Sequence, residues 1–281
     1  MYHGSCLCEN ILWEVDPVPV PVYHCHCSMC RKMHGAAFGT YAYTPSENFR
    51  WSGELDTIRN YQSSPMLVRS FCSTCGSVVP NQDGDKPYYF IPIGSQDDGP
   101  KVDSHIFTAS KASWMTINDK LPKYDEFPPD MDSPTVSSSV EKFIESTELQ
   151  GSCLCKRIRF KIIQPFMKIY NCHCQRCRRA RSAAFTTNGF TVDKEVVFIE
   201  GEEHLKSYKL PSAKTFTQVF CDYCGSSMPR VSPDRKIAVI PLGALDHDLD
   251  QQPDCNIWFD SSANWYTPVN DLITYPKEPP E

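Results

Sequence analysis

Short stretches in which apolar and polar side chains alternate recur along the chain, and they predict β-strands. Residues 157–162, Arg-Ile-Arg-Phe-Lys-Ile, show the two-residue period of a strand with one buried face. The apolar run at 196–199 leads through Glu200-Gly201-Glu202 to residues 205–208, which predicts a β-hairpin. Residues 49–51 and 58–61 take the same places in the first half and predict a matching hairpin.

Helical signals are weak by comparison. No long stretch carries the 3.6-residue period of an amphipathic helix. One short helix is predicted in each half, over about residues 31–37 and about residues 178–184. The pattern therefore predicts a mainly β protein built of short antiparallel strands.

The strand pattern belongs to a repeat. The segment Gly4-Ser5-Cys6-Leu7-Cys8 returns 147 residues later as Gly151-Ser152-Cys153-Leu154-Cys155, and Cys25 to Arg31 returns at the same offset as Cys172 to Arg178. Phe71 to Ser77 returns 149 residues later as Phe220 to Ser226. Between the copies, residues 127–134 and the serines at 137–139 have the composition of a linker. We expect two tandem domains, residues 1–135 and 136–281.

Composition narrows the function classes. A chain that is 41% hydrophobic and 22% charged is globular, and prolines interrupt its densest apolar stretch, so no membrane partner is expected. The net charge of −6 argues against a nucleic-acid partner. The chain begins Met-Tyr-His-Gly-Ser-Cys, without the features of a secretory leader, which predicts a reducing, cytoplasmic location. In such a compartment, 15 cysteines indicate metal ligands rather than disulfides.

The cysteines form the same three clusters in each half, and Cys255 alone lies outside them, where a small buried apolar role is expected. The clusters are a C-x-C pair, a C-x-C-x-x-C trio and a C-x-x-C-G pair: Cys6 and Cys8, Cys25, Cys27 and Cys30, and Cys72 and Cys75 in the first half; Cys153 and Cys155, Cys172, Cys174 and Cys177, and Cys221 and Cys224 in the second. A tight C-x-x-C turn lets two thiolates reach one ion, and the following glycine permits the positive φ that such turns use.

Seven thiols divide into one closed four-ligand site and one three-ligand site. The middle cluster, here called the trio, supplies three ligands from one short segment, and the two flanking pairs, here called the quartet, would then close a structural site. A site with three protein ligands leaves a position for water or substrate, which is where zinc does chemistry. Other partitions remain open, such as a structural site that borrows one thiol from the trio.

These motifs resemble the glutathione-dependent formaldehyde-activating enzyme family, which also includes centromere protein V. The resemblance rests on Gly-Ser-Cys-x-Cys, Cys-His-Cys-x-x-Cys-Arg and Phe-Cys-x-x-Cys-Gly-Ser, and it covers nearly the whole chain as two copies. It implies two tandem zinc-stapled β-tent-like domains, with structural Zn²⁺ in each quartet and catalytic Zn²⁺ in each trio. It further implies a carbon–sulfur lyase that joins formaldehyde and glutathione into S-hydroxymethylglutathione, with glutathione as co-substrate.

The cysteine spacing and the family resemblance both favour a small thiol or aldehyde as the substrate. Three thiolates make zinc a poor Lewis acid but a good partner for a fourth, soft sulfur. We expect Arg178 and Arg179, beside the second trio, to hold the carboxylates of glutathione. The alternative is a non-catalytic zinc-stabilised binding module, which would need a fourth ligand at each trio. His34 follows the first trio, but Arg181 takes its place in the second, so no shared fourth ligand is visible.

Two further expectations concern the histidines and the assembly. His26 and His173, inside the trio motifs, are either acid–base groups or hydrogen-bonding neighbours of the ligands. The protein is expected to be either a monomer whose tandem domains meet face to face as in a dimer, or a homo-oligomer.

Overall fold

The computed structural model describes residues 1–65, 67–82, 84–129, 131 and 149–280, and all statements about structure refer to these residues. The domain boundary that we predicted at residue 135, and the serines of the predicted linker, lie outside them. Ten strands and one helix make up the first half: β1 Tyr2–Ser5, β2 Leu12–Val15, β3 Val22–Cys25, α1 Ser28–His34, β4 Gly39–Pro45, β5 Phe49–Trp51, β6 Ile58–Ser64, β7 Leu67–Cys72, β8 Val78–Val79, β9 Tyr88–Pro92 and β10 Ser104–Ile106.

The second half repeats this order with ten strands and one helix. They are β11 Leu149–Ser152, β12 Arg159–Ile162, β13 Lys168–Cys172, α2 Gln175–Arg181, β14 Thr186–Thr191, β15 Val196–Glu200, β16 Leu205–Lys209, β17 Thr217–Cys221, β18 Arg230–Ser232, β19 Ile237–Pro241 and β20 Cys255–Ile257. The prediction of a mainly β protein in two domains is confirmed. Neither helix of the described part of the chain has the length and apolar character needed to cross a membrane.

Small sheets replace one large sheet in each half. The first half contains sheets β1-β2-β5, β10-β3-β4-β9 and β6-β7-β8, and the second contains β11-β12-β15, β18-β19-β14-β13-β20 and β16-β17. The pairs are antiparallel except that β10 runs parallel to β3 and β20 runs parallel to β13. The parallel pairs bring the end of each repeat back beside the strand that carries the first cysteine of its trio.

The two predicted hairpins are wrong. Strand β15 pairs with β12, and β16 pairs with β17, so the two strands that we expected to pair belong to different sheets. In the first half, β5 likewise pairs with β2, and β6 pairs with β7. Gly201, at φ +74°, lies so close to the Arg157 carbonyl that a Cβ there would meet its oxygen at 2.0 Å. A one-turn 3-10 helix, Glu202–His204, then directs the chain away from β15.

Both predicted helices exist, but each begins three residues earlier, inside its trio. The Cys27 and Cys174 side chains are the N-caps, accepting hydrogen bonds from the backbone N–H of Cys30 and Cys177. A helix N-terminus stabilises thiolate, so the capping role and a ligand role of these cysteines are compatible. The C-cap residues that follow the helices, Gly35 and Ser182, are both in the left-handed conformation.

One hydrophobic core runs through both halves, and the contact between them follows an approximate two-fold axis. Residues at equivalent positions meet each other: the Phe38 and Phe185 rings pack edge to face at 5.3 Å, and the Phe71 and Phe220 rings lie 6.4 Å apart. Such self-complementary contact is typical of symmetric dimers. The face-to-face arrangement expected for the tandem copies is therefore present within this single chain.

Polar contacts fasten helix α1 to the second half. The buried Lys32 ammonium donates to the carbonyl oxygens of Ser152 (3.0 Å) and Ala244 (3.3 Å) and forms an ion pair with Asp246. Because these acceptors all come from the other half, Lys32 couples the folding of one half to that of the other.

Lys32→Met is expected to lower the free energy of unfolding by about 2–4 kcal/mol, because it removes the cation that pairs with the partly buried Asp246 carboxylate, which keeps only the Ser152 hydroxyl as a donor, and the ammonium that donates to two carbonyl groups. Denaturant unfolding of the zinc-loaded protein measures the effect. Lys101→Met, the same change at an exposed lysine, is the control and should alter stability little. Equal stability of the two variants would contradict this account of the contact.

Candidate metal centres

The structure brings each predicted quartet together from chain segments more than sixty residues apart. All four sulfurs of Cys6, Cys8, Cys72 and Cys75 lie within 4.8 Å of one another, and so do those of the second quartet. Gly76 and Gly225, which follow the C-x-x-C pairs, have φ of +76° and +74°, as predicted for these turns. A Cβ on Gly76 would meet the Phe220 ring at 2.4 Å, and a Cβ on Gly225 would meet Phe71 at 2.5 Å, so each turn also packs against the other half.

The sulfur separations fit zinc and exclude disulfides. The Cys6–Cys8 and Cys8–Cys72 sulfurs are 3.4 and 3.7 Å apart, and the Cys153–Cys155 and Cys155–Cys221 sulfurs are 3.3 and 3.8 Å apart. Zinc bound tetrahedrally at a Zn–S distance of about 2.3 Å requires sulfurs about 3.8 Å apart. A disulfide would place them at about 2.05 Å. The donor set of each quartet therefore suits a closed Zn²⁺ site.

The trios also converge, each at the junction of a strand and a helix. The first cysteine ends β3 or β13, the second caps the helix, and the third lies in its first turn. The three sulfurs lie within 4.8 Å of one another in both halves, and no His, Asp, Glu or further Cys of the described residues joins them. Each trio can therefore hold a metal ion through three protein ligands.

A buried arginine offsets part of the negative charge of the first trio. Arg69, on β7, is 3% exposed, and its Nη2 donates to the Cys30 Sγ at 3.5 Å while its Nη1 donates to the Tyr41 hydroxyl at 3.4 Å. Burial by itself would lower the pKa of the Arg69 guanidinium, but the charge of Cys30 raises the pKa above its usual value. The guanidinium therefore stays charged and offsets one of the three thiolates.

His34 is occupied by hydrogen bonds rather than by a metal. Burial lowers the pKa of His34 to about 4, so the ring is neutral at pH 7. Its Nδ1 lies 2.6 Å from the carbonyl oxygen of Arg181 and therefore carries the proton, which leaves Nε2 to accept from the Tyr41 hydroxyl at 2.7 Å. Both ring nitrogens of His34 are thus engaged, and His34 is not the fourth ligand of the first trio.

The second trio also has a buried guanidinium nearby, from a different element. Burial lowers the pKa of Arg181 to about 10, and the charge of Cys177 acts in the opposite direction. Arg181, at the end of α2, is buried where His34 lies in the first half, and it donates to Gln218 Oε1 at 3.2 Å and Asn188 Oδ1 at 3.5 Å. Gln218 and Asn188 are the repeat equivalents of Arg69 and Tyr41. Three positions thus differ between the halves: histidine, tyrosine and arginine in the first correspond to arginine, asparagine and glutamine in the second. One arginine of these three positions lies near each trio.

His26 and His173 make hydrogen bonds to side chains other than the cysteines. His26 Nε2 lies 2.9 Å from Nδ1 of His105, whose Nε2 donates to Asp119 at 2.9 Å. Burial lowers the pKa of His26 well below its usual value, so its Nε2 donates as a neutral ring. In the second half, His173 Nε2 donates to Asn256 at 3.4 Å. These contacts favour the hydrogen-bonding alternative over an acid–base role.

Arg178 and Arg179 lie at the contact between the halves. Arg178 is 2% exposed and donates to the carbonyl oxygen of Gln96 at 3.2 Å and to Asp97 at 2.6 Å. Arg179 pairs with Glu9 at 3.0 Å and with Asp97 at 3.6 Å. Both guanidinium groups are engaged by protein acceptors. Their role in holding glutathione stays a prediction.

A cavity of about 200 Å³ opens over the second trio. All three of its cysteines line the cavity, together with Arg176, Arg181 and Arg230. Sequence reasoning missed Arg230 because it lies 53 residues beyond the trio in the chain and belongs to no motif. A position-by-position comparison of the two repeats is the signal that could have identified Arg230, because its counterpart in the first half is the uncharged Asn81.

Comparison with known proteins agrees with this architecture. The family model described as glutathione-dependent formaldehyde-activating enzyme matches residues 1–110 and 148–261, which together make up most of the chain. The chain belongs to this family. Both copies of the repeat are thus formaldehyde-activating-enzyme domains in sequence, each with its own quartet and trio.

Individual relatives are distant. A Halomonas elongata protein, named provisionally as a glutathione-dependent formaldehyde-activating enzyme, is 25% identical over 123 residues, which cover 42% of this chain and 78% of that protein. A crystal structure of a Rhodobacter sphaeroides protein is 25% identical and covers 33% of this chain and 85% of its own, with a TM-score of 0.29. The Halomonas elongata protein therefore matches about one copy of the repeat.

The purified chain is expected to hold four zinc ions, two of which leave first when a chelator is added, because the trios supply three protein ligands and the quartets four. Metal analysis after timed dialysis measures both classes. A chain that holds two ions, both resistant to the chelator, would contradict the assignment of a metal to each trio.

Arg69→Gln is expected to weaken zinc binding at the first trio by about 10–100-fold, because a hydrogen bond to a ligand sulfur and its charge are both lost. The triple variant His34→Arg, Tyr41→Asn and Arg69→Gln, which installs the second-half arrangement, should recover most of the loss. Competition with a chromophoric chelator measures the affinity, with the exposed Arg59→Gln as control. A triple variant weaker than Arg69→Gln would show that the two arrangements are not equivalent.

Proposed function

We propose that this protein is a zinc-dependent carbon–sulfur lyase that makes or breaks the adduct of an aldehyde with glutathione or a related thiol. The observation that carries the proposal is the geometry of the trios. Three cysteine sulfurs converge in each half, and no fourth ligating side chain of the described residues completes the set. Membership of the formaldehyde-activating enzyme family points to the same chemistry.

The reaction balances without a redox partner. The thiol of glutathione gives up its proton and its sulfur attacks the carbon of formaldehyde. The C–S bond forms as the C=O π bond breaks, and the oxygen takes a proton, equivalent to the one that the thiol lost, to give S-hydroxymethylglutathione. The reverse reaction breaks the same bond and returns the proton. The three cysteines of a trio would hold a zinc ion, which would supply a site for a fourth sulfur and lower the pKa of that thiol.

The chain's own residues set the charge and position of this site. The N-capping cysteines, Cys27 and Cys174, fix the trio against the first turn of each helix. The buried guanidinium groups of Arg69 and Arg181 offset part of the thiolate charge, which lessens the repulsion that an incoming thiolate would meet. The first quartet holds strand β7, which carries Arg69 and ends at Cys72, and we assign both quartets a structural role.

Fourteen reduced ligand thiols require a reducing compartment, and we retain the cytoplasm as the proposed location. The cysteines of the described chain are all free. No membrane or nucleic acid enters the proposed chemistry, whose partners are a small thiol and an aldehyde.

The double variant Cys27→Ser and Cys174→Ser is expected to lower the rate of adduct formation from formaldehyde and glutathione by more than about 100-fold, since loss of a direct ligand exceeds the 10–100-fold effect of an outer partner. Exchange between free and thiol-bound formaldehyde, followed by NMR, measures the rate. Cys255→Ala, which removes the one cysteine outside the four metal clusters and keeps a small apolar side chain in the hydrophobic cluster that it shares with Cys172 and Cys174, is the control and should retain activity.

Far-UV circular dichroism of the double variant separates a functional role of the trios from a structural one. A folded, inactive variant supports the proposal. A folded variant with full activity would contradict it, and a variant that unfolds would favour the zinc-stabilised binding module, in which the trio is a further structural site.

A further inference from the structure

The two trios differ in what surrounds them, although their sulfurs are arranged alike. Around the first trio, Tyr43, Phe90, Phe107 and Phe127 form one hydrophobic cluster with Cys25 and Cys30. The Phe107 and Phe127 rings pack edge to face at 4.8 Å. Around the second trio, Trp258 and Glu278 take the places of these two rings, and both line the cavity.

The walls of this cavity are rich in positive charge. Three arginines line it, Arg176, Arg181 and Arg230, against one acid, Glu278. Arg181 is already committed to Gln218 and Asn188. The guanidinium groups of Arg176 and Arg230 are thus the ones available to an anion that enters the cavity.

Arg176 and Arg230 are held in place without a carboxylate partner among the described residues. The Arg176 guanidinium lies over the Phe216 ring at 5.7 Å from its centre. Arg230 Nη1 donates to the carbonyl oxygen of Thr215 at 2.7 Å. Both guanidinium groups keep N–H donors free for a ligand, since each has five and a carboxylate needs two.

The repeat supplies an internal comparison for both residues. Met29 stands where Arg176 does, and Asn81 stands where Arg230 does. Asn81 uses its side-chain amide to donate to the carbonyl oxygen of Val68 at 2.7 Å. The first half therefore offers neither of the two cations, and the buried guanidinium of Arg69 beside its trio is bound to Cys30.

The geometry points to a division of labour between the halves: the second trio binds a thiol that carries a carboxylate, and Arg176 and Arg230 are the specificity-determining residues that bind this carboxylate. The inference rests on the proposed function and adds to it the working site and the class of substrate. The first trio, enclosed by aromatic rings, binds no acidic thiol.

The test measures thiol binding to the zinc-loaded full chain by isothermal titration calorimetry, with glutathione and cysteamine as probes. Glutathione has carboxylates and cysteamine has none. Arg176→Met and Arg230→Asn, which install the first-half residues, are each expected to weaken glutathione binding about 10-fold and to leave cysteamine binding unchanged. Arg235→Asn, at an exposed arginine outside the cavity, is the matched control and should change neither.

Single cysteine variants locate the working site. Cys27→Ser should retain glutathione binding and Cys174→Ser should lose it. The opposite result would overturn the division of labour, and so would binding of one glutathione by each half.

The outcomes separate this inference from the proposed function. If the unaltered protein binds both thiols but the arginine variants bind glutathione as tightly as it does, the assignment of Arg176 and Arg230 is wrong and the lyase proposal stands. If the unaltered protein binds neither thiol, the lyase proposal fails and this inference fails with it. The arginine variants keep the test decisive even if a cysteine variant does not fold.

Discussion

The convergence of sulfur atoms is the constraint on which the rest of this structure depends. Fourteen cysteines gather into four clusters, and the segments that supply each quartet are separated by an entire set of strands. Thiolates held this close repel one another unless positive charge lies among them. Metal ions can supply most of that charge, and the buried guanidinium groups of Arg69 and Arg181 supply more at the trios. Short strands in small sheets suffice because the clusters, rather than long ladders of hydrogen bonds, join the ends of each repeat.

The contact between the halves supports the trios from behind. Each trio helix is seven residues long, and such a helix has little stability of its own. Lys32 on α1 and Arg178 on α2 donate to carbonyl groups of the opposite half, and the His34 ring contacts the backbone of Arg181. The position of each metal-ligand segment therefore depends on the other half, and the two domains act as one structural unit at this contact.

The sequence predicted the parts of the structure that are governed by local spacing. The C-x-C and C-x-x-C intervals predict which neighbouring cysteines converge, and the positive φ of Gly76 and Gly225 follows from the turn that the second interval requires. The joining of two distant pairs into one quartet was only one of the partitions that the spacing allowed. Helix starts were placed three residues late because a cysteine is rarely considered as an N-cap. The hairpins were wrong because adjacent strands in sequence were assumed to pair, whereas Gly201 and the 3-10 turn after it send them to different sheets. The exchange of Arg69 for Arg181 was visible only by comparing repeats, since the two arginines lie on different elements.

Fusion of the two copies into one polypeptide has an evolutionary consequence at the pseudo-two-fold axis. The His34 ring and the Arg181 backbone meet across this axis although they occupy corresponding positions in the repeat. In a homodimer encoded by one unduplicated gene, any replacement at such a position would appear twice and face its own copy, so a bulky cation would meet a second bulky cation. A covalently linked pair escapes that restriction, because each copy can mutate separately while its neighbour preserves the fold.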